Sequence, residues 1–198
     1  MGKDVTRIQI KTATDTVAHQ TIAALVIAFS IEPLMRWCYP DPHQYLAHFP
    51  DFIRADAGKA FEQRTAYYSD SFSGVALWLP PGIESDEEEI STIFQSTVSE
   101  SLRKEVLGIA EQMGRYRPIE PHWYLPLMGV ELRHQRKGIG SAIMKHALIP
   151  CDRDKQLAYL EATSQENMAF YERHGFERLG TIQCASAPPV FPMLREPR

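Results

Sequence analysis

Two periodicities of apolar side chains alternate along the chain and predict a mixed α/β fold. Residues 7–11 alternate polar and apolar positions, as in a half-buried strand. Apolar residues between 15 and 29 recur at helical spacing, and residues 43–63 repeat that pattern with an interruption expected at Pro50. Prolines between the two helices predict an irregular connection: Pro33, Pro40 and Pro42.

The middle of the chain predicts a β-hairpin followed by helix. Residues 65–68 and 75–79 are β-like runs, and Ser, Asp and Gly in residues 69–74 give the chemistry of a turn. A helical pattern then extends to about residue 116. Ser85 is a suitable N-cap, and the acidic residues after it suit the positive end of a helix dipole.

Residues 123–130 form an apolar run that contains Pro126 and Gly129. A strand with proline and glycine in it is expected to be bulged, or to lie where the pairing of the sheet stops. A helix follows over residues 138–149 and is expected to stop at Pro150, and residues 157–162 predict another buried strand.

The last elements complete the pattern of the second half. Residues 166–174 predict a helix, with Gly175 in the left-handed conformation at its end. Residues 176–183 and 190–194 look like two final strands. Strands and helices therefore alternate in a way typical of one mixed sheet with helices on its faces.

Composition fits a single domain over residues 1–198. The net charge is −4 and the isoelectric point about 6.0, which argues against a broad nucleic-acid-binding surface. The most apolar early run, residues 22–29, is much shorter than the roughly 20 residues of a membrane span. The three cysteines form no Cys-x-x-Cys pair, so we expect no disulfide framework, no metal site and a cytoplasmic protein.

The segment over residues 131–141, Glu-Leu-Arg-His-Gln-Arg-Lys-Gly-Ile-Gly-Ser, carries the most informative chemistry. A strand enters a basic loop with two glycines, and a helix begins there. Glycines let the backbone approach a ligand closely, and free amides at a helix start point at anions. The pattern indicates a pyrophosphate site, although an ordinary tight turn would also produce it.

We compared the same segment with two nucleotide-binding motifs. The Walker loop is absent. A dinucleotide fingerprint would need glycine or alanine where Ile143 stands, although Glu161 lies at about the right distance to serve as its acid. A nucleotide-binding protein using Gly138, Gly140 and Glu161 therefore stays an alternative.

Gln135-x-x-Gly138-x-Gly140 resembles the acetyl-CoA signature of the GNAT N-acetyltransferases. Residues 167–176, which contain Tyr171-Glu-Arg-His-Gly-Phe, resemble the helix and following strand of the same family. The resemblance covers about residues 121–183 well. Details in residues 160–163 and the tail look most like the branch that contains puromycin N-acetyltransferase.

The resemblance implies a sheet of about seven strands, flanked by helices and splayed after its fourth strand. Residues 1–120 would form mainly the acceptor side, and residues 121–183 the acetyl-CoA side. The implied reaction is direct transfer of acetyl from acetyl-CoA to an amine within a ternary complex.

The resemblance also implies which residues bind acetyl-CoA. Met128, Gly129 and Val130 would pair with the pantetheine arm as another strand does, with the Val130 amide donating to the thioester oxygen. Asn167 would hydrogen-bond the arm. The pyrophosphate would lie on the backbone amides of the loop and helix start, namely Gln135, Arg136, Lys137, Gly138, Ile139, Gly140 and Ser141.

The resemblance indicates one residue for the acid of the reaction but leaves several candidates for the base. Tyr171 would protonate the leaving thiolate, since a phenol with a pKa near 10 can donate to a thiolate. Glu161, at the end of a strand next to the one that carries Val130, is the first candidate for the base, and Glu120 and His122 are second candidates. Pro126 and Tyr124 occupy positions where some family members carry an acid or a histidine, so a water relay is also open.

Aromatic residues in the first half are candidates to contact the acceptor, although each would serve equally in the core. The group comprises Trp37, Tyr39, His43, Tyr67, Tyr68 and Trp78. We predict a small-molecule amine as acceptor, with a protein or peptide amine and a non-catalytic acyl-CoA sensor as alternatives. A homodimer is compatible with the sequence.

Overall fold

The computed structural model describes residues 8–198, so Arg7 of the predicted first strand lies outside the described residues. A single seven-stranded sheet has the order β1-β2-β3-β4-β5-β7-β6. Its pairs are antiparallel except for β4 and β5, which are parallel. The strands are β1 Ile10–Ala13, β2 Ala66–Ser69, β3 Gly74–Leu79, β4 His122–Val130, β5 Leu157–Ala162, β6 Glu177–Arg178 and β7 Phe191–Arg195.

Helices cover both faces of this sheet, which confirms the predicted mixed α/β architecture. One core lies between the sheet and helices α1 to α6, and the other lies under α7 and α8. In residues 8–198 no helix has the length and apolarity that a membrane span requires. The helices are α1 Ala18–Ala28, α2 Pro33–Cys38, α3 Pro42–Ala57, α4 Lys59–Glu62, α5 Glu87–Thr97, α6 Glu100–Tyr116, α7 Ile139–Arg153 and α8 Gln165–Glu172.

The prolines of the first half begin helices instead of breaking them. Pro33 and Pro42 are the first residues of α2 and α3, where a missing N–H costs no intrahelical hydrogen bond. Glu32 and Asp41 cap these helices with their carboxylates. The predicted irregular connection is therefore wrong between residues 33 and 38.

Two further predictions about prolines are also wrong. Pro50 lies within α3, which continues through it, and Pro150 lies within α7, which continues to Arg153. Each proline removes one hydrogen bond, but the residues beside it, Phe49 in α3 and Cys151 in α7, are fully buried. Burial of these flanking side chains favours helices that continue past the proline.

The helix that follows the hairpin begins one residue later than predicted. Asp86 caps α5 by accepting from the Glu89 amide at 3.1 Å. Ser85 is buried, and its hydroxyl donates to the Asp56 side chain at 2.9 Å.

The predicted strand over residues 176–183 is shorter in the structure: it comprises β6 and a single bridge at Ile182. Gly175, before this strand, has the predicted positive φ.

Strand β4 contains the predicted bulge. Leu77 of β3 faces Leu127, but Leu79 faces Tyr124, so three steps along β4 match two along β3. Because of the extra residue, side chains of β4 at odd-numbered positions before the bulge and at even-numbered positions after it point to the same face of the sheet. Trp123 faces the α7 core before the bulge, and Met128 faces that core after it.

The sheet splays at the same place. Pairing of β4 with β5 ends at Leu125 and Leu160. The next residue of β4 is Pro126, which has no N–H to donate to β5. Because β4 stays paired with β3 up to Val130, its second half leaves one edge open.

Gly129 allows α1 to approach this part of β4. A Cβ at residue 129 would lie 2.6 Å from the Cβ of Ala28, which belongs to the helix and cannot rotate away. We expect Gly129→Ala to destabilise the fold by about 1–3 kcal/mol, as overpacked cores do, when measured by urea unfolding.

Gly114→Ala in α6 is the matched control, because an added Cβ there meets nothing within 4 Å. It should stabilise the protein by roughly 0.5–1 kcal/mol, since alanine favours a helix over glycine. Equal stability of Gly129→Ala and the native protein would contradict the tight packing of α1 on β4.

Candidate active site

The open edge of β4 presents backbone groups to the gap between β4 and β5. The Glu131 amide donates to the Ser73 carbonyl at 2.8 Å, which lies toward β3. Successive amides of a strand point to opposite edges. The amides of Val130 and Met128 therefore face the gap, where they are available to an extended ligand.

The start of α7 has the geometry of an anion site. Gly138 caps the helix with a φ of +85°, which only glycine adopts without strain. The first intrahelical bond joins the Ala142 amide to the Gly138 carbonyl at 2.9 Å, so the amides of residues 139–141 lack an intrahelical partner. In a helix of 15 residues these amides suit a phosphate or pyrophosphate.

The helix start at Gly140 lies close to the gap. A Cβ at residue 140 would lie 3.4 Å from the Phe170 ring and 3.6 Å from the Met128 Cε. The helix start, β4 and α8 thus meet at one place. A ligand that ran from the helix start along β4 would contact all three elements.

The basic loop before α7 is partly neutralised by neighbouring acids. Arg136 pairs with Glu166 at 3.2 Å, and Arg133 pairs with Glu131. Both arginines are highly exposed, so these pairs stabilise little and are easily exchanged for a ligand. The exposed Lys137 and the backbone amides complete the cationic surface.

Helix α8 places its candidate residues on the same side of the sheet. Ser164 caps the helix by accepting from the Asn167 amide at 3.1 Å, which leaves the Asn167 side chain exposed. Tyr171 is 9% exposed and shares a core with Met128 and Val130. Burial raises the pKa of Tyr171, so its phenol stays protonated and can donate.

A cavity of about 550 Å³ lies on the opposite face of the sheet, above the same gap. Its floor includes Tyr124, Pro126 and Leu127 of β4 and Glu161 of β5. Its walls come from α2, α3, α5 and α6 and from Phe29, the residue after α1. They are mainly apolar: Phe29, Leu34, Met35, Phe52, Ile90, Phe94, Val106, Ile109 and Met113.

The polar side chains of this cavity are predominantly acidic. Arg117 is the single basic side chain in its described lining. Five acidic residues belong to that lining, namely Glu32, Asp56, Glu87, Glu111 and Glu161, although the Glu111 carboxylate pairs with Arg115. An apolar space with this charge favours a cation that carries an apolar body.

Glu161 is the most strongly perturbed of these acids. Burial raises its pKa to about 7, even though Arg117, Tyr124 and Tyr159 favour its charged form. Its Oε1 atom is buried, and it has no hydrogen-bond partner among residues 8–198. A carboxyl group that titrates near neutral pH beside a ligand cavity is typical of an acid–base site.

Two other acids reach the cavity from separate elements. Burial raises the pKa of Asp56 to about 6, while its contact with Ser85 lowers it. Glu32 accepts from the Met35 amide at 2.7 Å, so its main role in the fold is to cap α2. Burial raises the pKa of Glu32 as well.

A family model described as an acetyltransferase (GNAT) domain matches residues 99–178. This segment includes β4, α7, β5 and α8, which together form the splayed gap and the anion site. This part of the chain is therefore similar to GNAT acetyltransferase domains. The GNAT fold and the predicted enzyme class, an N-acetyltransferase, are thereby confirmed.

Solved structures share the fold over nearly the whole chain. A histone acetyltransferase HPA2 and related acetyltransferase from Corynebacterium glutamicum is 25% identical, with a TM-score of 0.69 and coverage of 96% of this chain and 97% of that one. Arylalkylamine N-acetyltransferase 2 from Aedes aegypti is 12% identical, with a TM-score of 0.68 and coverage of 97% and 100%. Polyamine N-acetyltransferase from Drosophila melanogaster is 13% identical, with a TM-score of 0.65 and coverage of 96% and 99%.

The GNAT domain does not bring every predicted residue to the gap. His122 begins β4, four residues before Pro126, and its Nδ1 lies 2.8 Å from the Glu120 carbonyl oxygen. It is not part of the described lining of the cavity. Of the aromatic candidates only Trp37 lines the cavity, whereas Tyr39 and Trp78 are buried in the two cores.

The sequence did not predict four residues that line the cavity: Glu32, Asp56, Arg117 and Tyr124. Glu32 and Asp56 have the sequence signals of a helix cap and a helix end. Arg117 follows a helix and precedes Pro118, which is typical of a solvated residue. Only the tertiary fold brings these residues to the cavity.

The perturbed Glu161 predicts a pH-dependent stability. Its pKa is raised from 4.5 to about 7, so the native state retains a proton that the unfolded state loses between these values. Stability should therefore fall as pH rises through this window. We expect the melting temperature of Glu161→Gln, measured relative to the native protein, to rise between pH 4.5 and 7 and then to level off.

Glu177→Gln, which removes an exposed carboxylate on β6, is the control. Its melting temperature relative to the native protein should stay constant over the same range. A constant difference for Glu161→Gln as well would show that the Glu161 carboxyl is not perturbed by burial.

Proposed function

We propose that the protein transfers the acetyl group of acetyl-CoA to the amine of a small cationic molecule with an apolar body. The observation that carries this proposal is the position of the acidic, apolar cavity. It lies above the gap between β4 and β5, and the helix start of α7 and the free edge of β4 lie on the other side. The thioester of acetyl-CoA and the amine of the acceptor would meet in the gap between β4 and β5.

The donor side is proposed from the open backbone groups. The amides of residues 136–141 would hold the pyrophosphate, since the predicted Gln135 amide already donates to the Leu132 carbonyl at 3.2 Å. The edge of Met128, Gly129 and Val130 would pair with the pantetheine arm. Asn167 has an exposed side chain that can bond the arm. When bound, acetyl-CoA supplies the acetyl group as a thioester, and the Val130 amide would donate to the thioester oxygen.

Glu161 is the proposed base. An amine acceptor is mostly protonated at neutral pH, so a group near it has to accept a proton. The pKa of about 7 makes the Glu161 carboxylate an effective acceptor at physiological pH. A water between the amine and Glu161 would serve equally, and the proposal includes no role for His122.

Tyr171 is the proposed acid. Its phenol lies in the same core as Met128 and Val130, on the donor side of the sheet. Burial keeps the phenol protonated, so its hydroxyl holds the proton that a leaving thiolate needs. The base and the acid would thus act from opposite faces of the sheet.

A small amine is favoured over a protein as acceptor because the cavity between α2, α3, α5 and α6 holds about 550 Å³, which suits a small molecule. Two of the structural neighbours are named as arylalkylamine and polyamine N-acetyltransferases. Membership of the puromycin N-acetyltransferase branch, the cytoplasmic location and a homodimer stay predictions. A non-catalytic acyl-CoA sensor is the second candidate, since Pro126 and Tyr124 replace residues expected of a base.

An acceptor screen tests the function directly. Free thiol released from acetyl-CoA should increase with arylalkylamines or polyamines, and less with their N-acetylated forms, which lack a free amine. Puromycin, aminoglycosides and amino-terminal peptides complete the panel. Binding of acetyl-CoA without thiol release for any amine would favour the sensor, and binding of NAD instead of CoA would contradict the proposal.

The Tyr171 hydroxyl is expected to contribute to the chemical step alone. Tyr171→Phe should lower kcat by about 10- to 10⁴-fold, the usual range for an acid–base group, and leave the Kd of acetyl-CoA nearly unchanged. Tyr67→Phe removes a hydroxyl from another buried tyrosine of the same core and should leave kcat unchanged. An unchanged kcat for Tyr171→Phe, with chemistry rate-limiting, would exclude the proposed acid.

A further inference from the structure

Arg117 lies directly after α6 and links the helices above the cavity to its floor. Its Nη1 atom is 3.3 Å from the Oε1 of Glu87, at the start of α5. Its guanidinium carbon lies 4.6 Å from the centre of the Tyr124 ring in β4. Arg117 is thus the described residue at which α5, α6 and the floor of the cavity meet.

The guanidinium is held by stacking more than by hydrogen bonds. Its side chain is 26% exposed, whereas its partner Glu87 is 76% exposed and forms only a long contact. The Arg117 Nε is buried and has no hydrogen-bond partner among residues 8–198. A guanidinium whose Nε is left without a partner beside an acidic cavity requires a reason beyond the ion pair with Glu87.

We propose that Arg117 is a positioning residue that holds Tyr124 beside Glu161 and keeps the Glu161 carboxylate ready to accept the proton of the amine. The inference rests on the proposed function of Glu161 as the base. Arginine suits this role because its planar cation stacks on a phenol ring and stays charged at all relevant pH values.

The charges around Glu161 agree with this assignment. The Arg117 cation and the phenols of Tyr124 and Tyr159 lower the pKa of Glu161, and Asp56, which approaches from α3, raises it. Burial has the largest effect and also raises it. Arg117 is the single cation among these groups, so its removal should favour the protonated form of Glu161.

The remaining acids of the cavity act on Arg117 or lie further away. Glu87 and Asp56 both favour the charged form of Arg117. Glu32 caps α2, and Glu111 pairs with Arg115 on the exposed side of α6. The local balance between Arg117 and the carboxyl groups of Asp56, Glu87 and Glu161 therefore sets the charge of the floor.

The experiment follows the carboxyl carbon of Glu161 by ¹³C NMR as pH is varied, with the resonance assigned by its absence in Glu161→Gln. Arg117→Gln should move the midpoint of the Glu161 titration to higher pH by about one unit. Loss of a nearby positive charge raises the pKa of a carboxyl group by roughly that amount. Arg117→Lys, which retains a cation, should restore most of the shift. Arg115→Gln removes an exposed cation two residues before Arg117 and should leave the midpoint unchanged.

A midpoint that stays in place in folded Arg117→Gln would overturn the proposal, as would an equal shift in Arg115→Gln. If Arg117→Gln does not fold, Arg117→Met decides, because it keeps an unbranched side chain against Tyr124 and removes the charge. Its midpoint should also move to higher pH. An unmoved midpoint in folded Arg117→Met would overturn the proposal.

The rate of acetyl transfer separates this inference from the proposed function. The acid limb of kcat/KM should move with the NMR midpoint in Arg117→Gln. A shift of the NMR midpoint without a shift of the rate profile would retain the role of Arg117 in the charge of Glu161, and would exclude Glu161 as the base. A merely structural Arg117 would lower the melting temperature and move neither measurement.

Discussion

The end of pairing between β4 and β5 is the constraint on which the candidate site depends. Pro126 cannot donate to β5, and the bulge beside it rotates the following residues. Two consequences follow from one short segment. The amides of Met128 and Val130 become available on one side, and the space above Glu161 and Tyr124 opens on the other.

The gap would collapse without rigid elements on both faces. Gly129 lets α1 lie against β4, and Gly74 does the same for α7, where an added Cβ would lie 2.8 Å from the Cδ1 of Ile143. Helix α7 therefore lies with its free amides at the level of the gap. The position of the anion site depends on close packing between glycine and a helix, in addition to the residues of the loop itself.

The donor side could be predicted from the sequence because its signals are local. Gly138 has a positive φ, and Pro126 interrupts a strand, so each residue reports its own backbone environment. The acceptor cavity could not be predicted in this way. Glu32 and Asp56 lie far from Glu161 along the chain, and their local patterns indicate only ordinary helices. Pro50 and Pro150 misled the prediction of α3 and α7, because burial of neighbouring residues outweighed a single lost hydrogen bond.

Burial of two ionisable groups on opposite faces of the sheet has opposite chemical consequences. It raises the pKa of Glu161 from the acidic range to about 7, so the carboxyl exchanges a proton near neutral pH. It also raises the pKa of Tyr171, so the phenol remains a proton donor throughout that range. In the proposed reaction, burial thus leaves Glu161 able to accept a proton on the cavity side, while Tyr171 stays protonated on the other face. The cation of Arg117 lies on the cavity side, where it favours the charged form of the proposed base.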